Sequence, residues 1–257
     1  SEASDGFFWA ASVTRLNEGP RPLCYRSMVT SVNDTRSAPR TTQLHRLLSG
    51  TLDDPFAVLG PQPGPDGALH LTVFLPGAAS VTVLREGDIE QPLAPHPDCP
   101  GIFEAEMTDH GAYRLRATTA DGASWEFDDP YRFGPILGEM DEYLIGEGTH
   151  LRLWDVLGAH VREHEGVAGT HFAVWAPNAQ RVSVVGPFNT WDGRRHPMRR
   201  RGASGIWEIF LPDITEGEAY KYEILGADGT LQPLKSDPVG FGSEHAPENA
   251  SVVRDIR

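Results

Sequence analysis

Apolar and polar side chains alternate through much of this chain with a period of two. In LHLTVFLPGAASVTVL (residues 69–84), Leu69, Leu71 and Val73 fall on one side of a would-be strand. A Pro-Gly turn follows, and Val81 and Val83 resume the alternation. Such a period puts one set of side chains against a core and the other in water. The pattern returns without gaps 101 residues later as THFAVWAPNAQRVSVV (170–185), with six of sixteen positions identical. GIFE (101–104) then matches GIWE (205–208), and AYRLRA (112–117) matches AYKYEI (219–224). ADG (120–122 and 227–229) and DP-x-x-FG (129–134 and 237–242) complete a colinear series, the offset growing to 108 as insertions collect in loops. FAVLG (56–60) and DVLG (155–158) stand at the two entrances. The chain holds a duplicated module.

Each copy is about 100 residues of short strands with turn signals between them, the size and rhythm of an immunoglobulin-like sandwich. Gly 27 and Pro 21 strengthen that reading, since they favour turns over long helices. The expected fold is all-β: two tandem immunoglobulin-like β-sandwich domains, one short helix, and a disordered or loosely packed N-terminal tail. TTQLHRLL (41–48), closed by Ser49-Gly50, is the expected helix. Residues 1–40 lack a sustained period and read as a flexible tail. The first module is expected over 41–135, a linker over 136–150 and the second module over 151–257.

Charge narrows the partners. A net charge of −14 argues against nucleic acid and anionic membrane, and suits a neutral ligand or another protein domain. No apolar run is long enough to span a bilayer as a helix, and no secretory leader is visible at Ser1. Two cysteines, Cys24 and Cys99, are no disulfide framework, so the cytoplasm is the expected compartment. HVREH (160–164) spells an inverted zinc-peptidase motif, but its span between Gly158 and Gly166 is too short for the helix that chemistry needs. No metal and no cofactor is expected. Arg194, Arg195, Arg199, Arg200 and Arg201 form a basic hairpin, read as a solvated face or as a clamp on an acidic neighbour.

The string FAVWAPNA, followed by VGPFNTWDGR and YKYEI, resembles the isoamylase-type carbohydrate-binding module of glycogen branching enzymes. DDPFAVLG (53–60) is similar to the entrance of the related sandwich that precedes that module in bacterial branching enzymes. The resemblance extends over about residues 45–257. It implies an α-glucan partner and a C-terminal (β/α)₈ catalytic domain absent from these residues, which could not build such a barrel. No catalytic residue is expected here. A stand-alone glycogen- or starch-binding protein, a structural spacer that binds no sugar, and a debranching or trehalose-forming relative are the rival readings.

Trp191 is the leading candidate for sugar contact, because its loop, GPFNTWDGR, gives a large aromatic little local reason to be buried. Its indole could stack on a pyranose while Asn189 and Asp192 bond the ring edge, or it could pack on another domain. The resemblance implies Lys221 and Asn249 beside it, positions that could equally be solvated. It also implies a second aromatic after ADG, where this chain has Leu231; the first module instead offers Trp125 there. Trp175 and Trp207 lie in alternating strands and are expected in the core, as are Tyr220 and Tyr222. Trp154 is expected to seal the junction between the modules.

Overall fold

The computed structural model describes residues 38–64 and 67–256. The expected tail lies outside the described residues up to position 37, as does Cys24. The described residues form one compact unit. Helix α1 (Arg40–Leu48) occupies the expected place and buries Leu44 and Leu47. Its chain reversal uses Gly50 at φ 68°, a left-handed conformation that costs glycine nothing.

In the first half the strands are β1 (Gly60–Pro63), β2 (Leu69–Phe74), β3 (Ser80–Arg85) and β4 (Ile89–Pro92). They continue as β5 (Ala94–Pro95), β6 (Ile102–Met107), β7 (Arg114–Thr118) and β8 (Ser124–Phe127). Two antiparallel sheets result, ordered β1-β2-β6-β5 and β4-β3-β7-β8. Leu71, Val73, Val81, Val83, Phe103 and Leu115 fill the space between them. Phe74 and Ile102 belong instead to a second cluster with α1, which covers the other face of the first sheet.

After a second helix, α2 (Glu139–Gly146), the strands are β9 (Gly158–His164), β10 (Val167–Trp175), β11 (Ala179–Val185) and β12 (Arg199–Arg201). They end with β13 (Ile206–Pro212), β14 (Ala219–Gly226) and β15 (Ser251–Val252). Sheets β12-β13-β10-β9 and β11-β14-β15 face one another across Phe172, Val184, Trp207, Tyr220 and Tyr222. The duplicated segments are thus the same strands, β2 answering β10, β3 answering β11, β6 answering β13 and β7 answering β14. Each entrance motif closes a single 3-10 turn, Pro55–Ala57 and Leu153–Asp155.

Three expectations need correction. Among the described residues the fold has two short α-helices rather than one. Helix α2 buries no side chain and leaves Met140 and Tyr143 exposed, so no apolar stripe announced it. Glu139, Asp141 and Glu142 in its first turn complement the helix dipole, and Arg201 pairs with Glu142. Trp207 is fully buried as expected, but Trp175 at the end of β10 is 55% exposed and donates to Ser204 O at 3.1 Å. Trp154 is 51% exposed, so it is not the seal of the junction; a buried carboxylate adds polar contacts there to the apolar packing. Glu208 Oε2 accepts from the Ile136 and Leu137 N–H groups at 3.2 and 2.9 Å and lies 2.9 Å from His171 Nε2. HVREH is a strand, β9, in which His160 and His164 bond the carbonyls of Leu157 and Gly134.

Candidate functional site

The loop joining β11 to β12 is held from beneath by one amide. Asn189 is 1% exposed, and its Oδ1 accepts from Gly186 N–H at 3.0 Å while its Nδ2 donates to Val184 O at 2.8 Å. Those two bonds fix which end of the amide is which, so its remaining N–H points to His196 Nδ1 at 3.0 Å. The neutral His196 therefore carries its proton on Nε2. Burial and the adjacent Arg195 charge push His196 down to about 4, which keeps it neutral near pH 7.

Above this anchor the chain turns sharply through a 3-10 turn, Pro187–Asn189, and two left-handed residues, Thr190 and Trp191, at φ 56° and 58°. Non-glycine residues rarely take that conformation, and the loop holds it with Trp191 N–H on Gly186 O at 3.0 Å. Gly193 lets the Glu223 carboxylate approach the loop: a Cβ there would stand 2.0 Å from Glu223 Oε1 and would displace it. Arg181 bonds Gly193 O at 2.7 Å and Glu223 Oε1 at 2.5 Å, tying the loop to β14. The result is an indole lifted out of the surface, 38% exposed.

Lys221 lies opposite Val185, the last residue before the loop, in the β11–β14 ladder. Its Nζ is 6.0 Å from the centroid of the Trp191 ring and donates to Asn249 Oδ1 at 2.5 Å. Asn249 is itself positioned by Ser236 Oγ on its carbonyl. Trp191, Lys221 and Asn249 are thus brought together as one exposed group: an apolar ring face flanked by an ammonium and an amide. Such a group can stack on one face of a sugar and bond its hydroxyls.

The other named residues lie elsewhere. Asn189 spends its whole amide inside the loop, so its expected place at a ring edge is corrected to that of the loop's anchor. Both carboxylate oxygens of Asp192 are taken by Arg194, whose side-chain hydrogen bonds hold the carboxyl below its usual range. Trp125, in β8 opposite Ala117, is 39% exposed and is not part of the Trp191 group. It faces a separate cleft whose lining includes His196 and Arg195. His196 went unnoticed in the sequence because its importance comes from the Asn189 bond, which spans seven positions of an irregular loop.

Two families match this chain, one in each half. Residues 40–131 match the family described as "alpha-1,4-glucan branching enzyme GlgB, N-terminal domain". Residues 156–240 match "Carbohydrate-binding module 48 (Isoamylase N-terminal domain)". The 1,4-alpha-glucan branching enzyme GlgB of Roseobacter denitrificans is 58% identical over 221 residues, which cover 84% of this chain and 30% of that protein. The GlgB of Paramagnetospirillum magneticum is 52% identical over 218 residues, covering 84% of this chain and 29% of that one. This chain therefore spans about three tenths of the length of these relatives. Among solved structures, a maltotriose complex of a PulA mutant from Klebsiella pneumoniae is 19% identical, with a TM-score of 0.34 over 72% of this chain and 23% of that one. Residues 40–131 are thus an N-terminal domain of the 1,4-alpha-glucan branching enzyme family, and residues 156–240 are a carbohydrate-binding module of family 48.

Proposed function

We propose that this chain is the non-catalytic N-terminal region of a cytoplasmic 1,4-α-glucan branching enzyme and that it holds α-glucan through Trp191, Lys221 and Asn249. The parent would cut an α-1,4-linked segment and rejoin it through an α-1,6 bond on a (β/α)₈ domain beyond these residues. This region would supply effective concentration, keeping a long polymer close to the chemistry without taking part in it. What carries the reading is the exposed indole with Lys221 and Asn249 beside it, inside a module of a carbohydrate-binding family. A neutral polymer also suits a surface of net charge −14.

A second observation supports the positioning role. Trp175, Leu153, His150 and Val239 line one depression, next to Leu151 and Trp154, which are 87% and 51% exposed. Exposed apolar side chains in such a group mark a surface made to be covered, and a further domain of the same polypeptide is the proposed cover.

Affinity electrophoresis through gels with and without glycogen tests the sugar reading. The parent chain should be retarded by glycogen, Trp191→Ala much less so, and Leu231→Ala as much as the parent. Equal mobility of the parent chain in both gels would leave the region as a spacer alone.

A further inference from the structure

The cleft that Trp125 faces is built by both sandwiches. Val73, Phe74 and Leu75 at the end of β2, with Trp125 and Asp128 after β7, form one wall; the loop of Asn189 and the turn after β13 form the other. Its volume is about 220 Å³. That is less than the ~300–1,000 Å³ of sites for drug-sized ligands, so it has room for a single small unit rather than a long chain.

The lining has the mixture that a polyol requires. Trp125, still 39% exposed, and Phe188 offer ring faces. His196 presents Nε2–H as a donor, its other nitrogen being occupied by Asn189. Asp213 supplies a carboxylate acceptor, exposed at the turn with φ 62°, whereas Asp128 on the opposite wall is paired with Arg132 at 3.0 Å and with Arg114 at 3.4 Å. Arg195 bonds Pro76 O across the cleft at 3.1 Å, while its buried Nε finds no hydrogen-bond partner among the described residues. Carboxylates next to donors suit hydroxyls, which both give and accept hydrogen bonds. An anion would meet the unscreened carboxylate of Asp213, and an apolar ligand would leave that carboxylate and the His196 Nε2–H unpaired.

We infer that the cleft between the two sandwiches is a second saccharide site, which takes one terminal sugar residue of a short α-glucan against Trp125, with His196 and Asp213 bonding its hydroxyls. Its identity as an α-glucan site rests on the function proposed above, whereas its existence does not depend on Trp191. The two sites share a single loop, because the segment that lifts Trp191 outward also supplies Phe188, Arg195 and His196 to the cleft.

Maltotriose titration of the ¹⁵N-labelled chain separates the two. The six tryptophans give distinct indole N–H signals, assignable by single substitutions. The Trp125 and Trp191 signals should both move, each along its own saturation curve. Trp191→Ala should leave the Trp125 curve unchanged. In Trp125→Ala, where the His196 ring reports on the cleft, affinity there should fall at least tenfold; Trp125→Phe should restore part of it. A Trp125 signal that stays fixed while Trp191 saturates would overturn the second site alone. The converse result would keep the cleft and remove the Trp191 platform. Both signals fixed would remove both sites.

Discussion

Each sandwich buries the same two-residue bond. Tyr113 donates to Asp129 Oδ2 at 2.7 Å in the first, and Tyr220 donates to Asp237 Oδ2 at 2.7 Å in the second. The other oxygen of each aspartate accepts a backbone N–H two residues on, from Tyr131 and from Val239. Burial raises both carboxyls, Asp129 to about 6. A carboxyl raised from an unfolded value of about 3.9 stabilises the fold fully below that pH, and the contribution is lost as pH climbs through about 6. His196, lowered to about 4, acts in reverse: its contribution is present above about 6.5 and is lost as pH falls towards 4. The two windows overlap with opposite signs. Asp129→Asn should therefore make stability rise more steeply from pH 4 to 6.5 than in the parent, by on the order of 2 kcal/mol across the window. His196→Gln should flatten or invert the slope. Urea midpoints at half-unit pH steps read both, and parallel curves for Asp129→Asn and parent would refute the account. The repeat showed that AY and DP recur together, but not that they bond, since the partners are 16 and 17 positions apart on separate elements. Asn189 was equally illegible: its type suggested a sugar ligand, while its burial is decided by the turn around it. Replacing it with alanine should cost about 2 kcal/mol in urea unfolding by stranding Gly186 N–H and Val184 O. The same change should weaken glycogen retardation although Trp191 remains, because the turn that lifts the indole loses its anchor.

Among the elements, the short strand β12 and its flanking turns explain the basic hairpin. Of the two readings open from sequence, clamp and solvated face, the structure favours the clamp for three arginines. Arg195 reaches Pro76 O at 3.1 Å and Arg199 reaches Phe133 O at 2.8 Å, with its guanidinium 3.8 Å over the Phe56 ring. Arg201 bonds Leu137 O at 3.0 Å and pairs with Glu142 of α2 and with Glu208 of β13. These targets are carbonyls, a ring and two carboxylates, a set no count of acidic residues would reveal. Period two did locate the long strands, because each has a face against a core. It missed α2, which is held by ion pairs at Asp141 and Glu142 and packs only part of Ile145 against the core, too little for an apolar stripe. Glu208 is the centre of this junction. Glu208→Ala should cost about 3–5 kcal/mol, since it leaves His171 and Arg201 without their buried carboxylate. Arg201→Ala should cost less, and the double variant should fall short of the sum because both belong to one network. Additive losses in urea unfolding would mean that the two residues act independently.

At the scale of the whole molecule, the decisive fact is which residues share a core. Leu44 and Leu47 of α1, Leu59, Phe74 and Ile102 of the first half, and Phe172, Trp207, Tyr220 and Val253 of the second belong to one buried cluster. Sequence alone showed two modules and a linker, since a duplicated pattern reveals units and is silent about the surface between them. Separate domains joined by a linker commonly unfold in separate steps, because few contacts couple them. Here α1 and the first sheet bury apolar surface continuous with the second sandwich, so opening either half exposes the core of the other. Scanning calorimetry should accordingly give one transition for the parent chain. Leu47→Ala, in a helix outside both sandwiches, should cost about 2–5 kcal/mol, as buried leucines generally do. At ~2–4 °C per kcal/mol for a chain of this size, that predicts a fall of about 4–20 °C. Its diagnostic feature is not the size but the symmetry of the loss. Monitored by the indole signals of Trp125 in the first half and Trp207 in the second, both transitions should move together by the same amount. If Trp125 lost its native signal several degrees below Trp207, the shared cluster would be two cores in contact, and the cleft between the sandwiches would be a hinge rather than a fixed pocket.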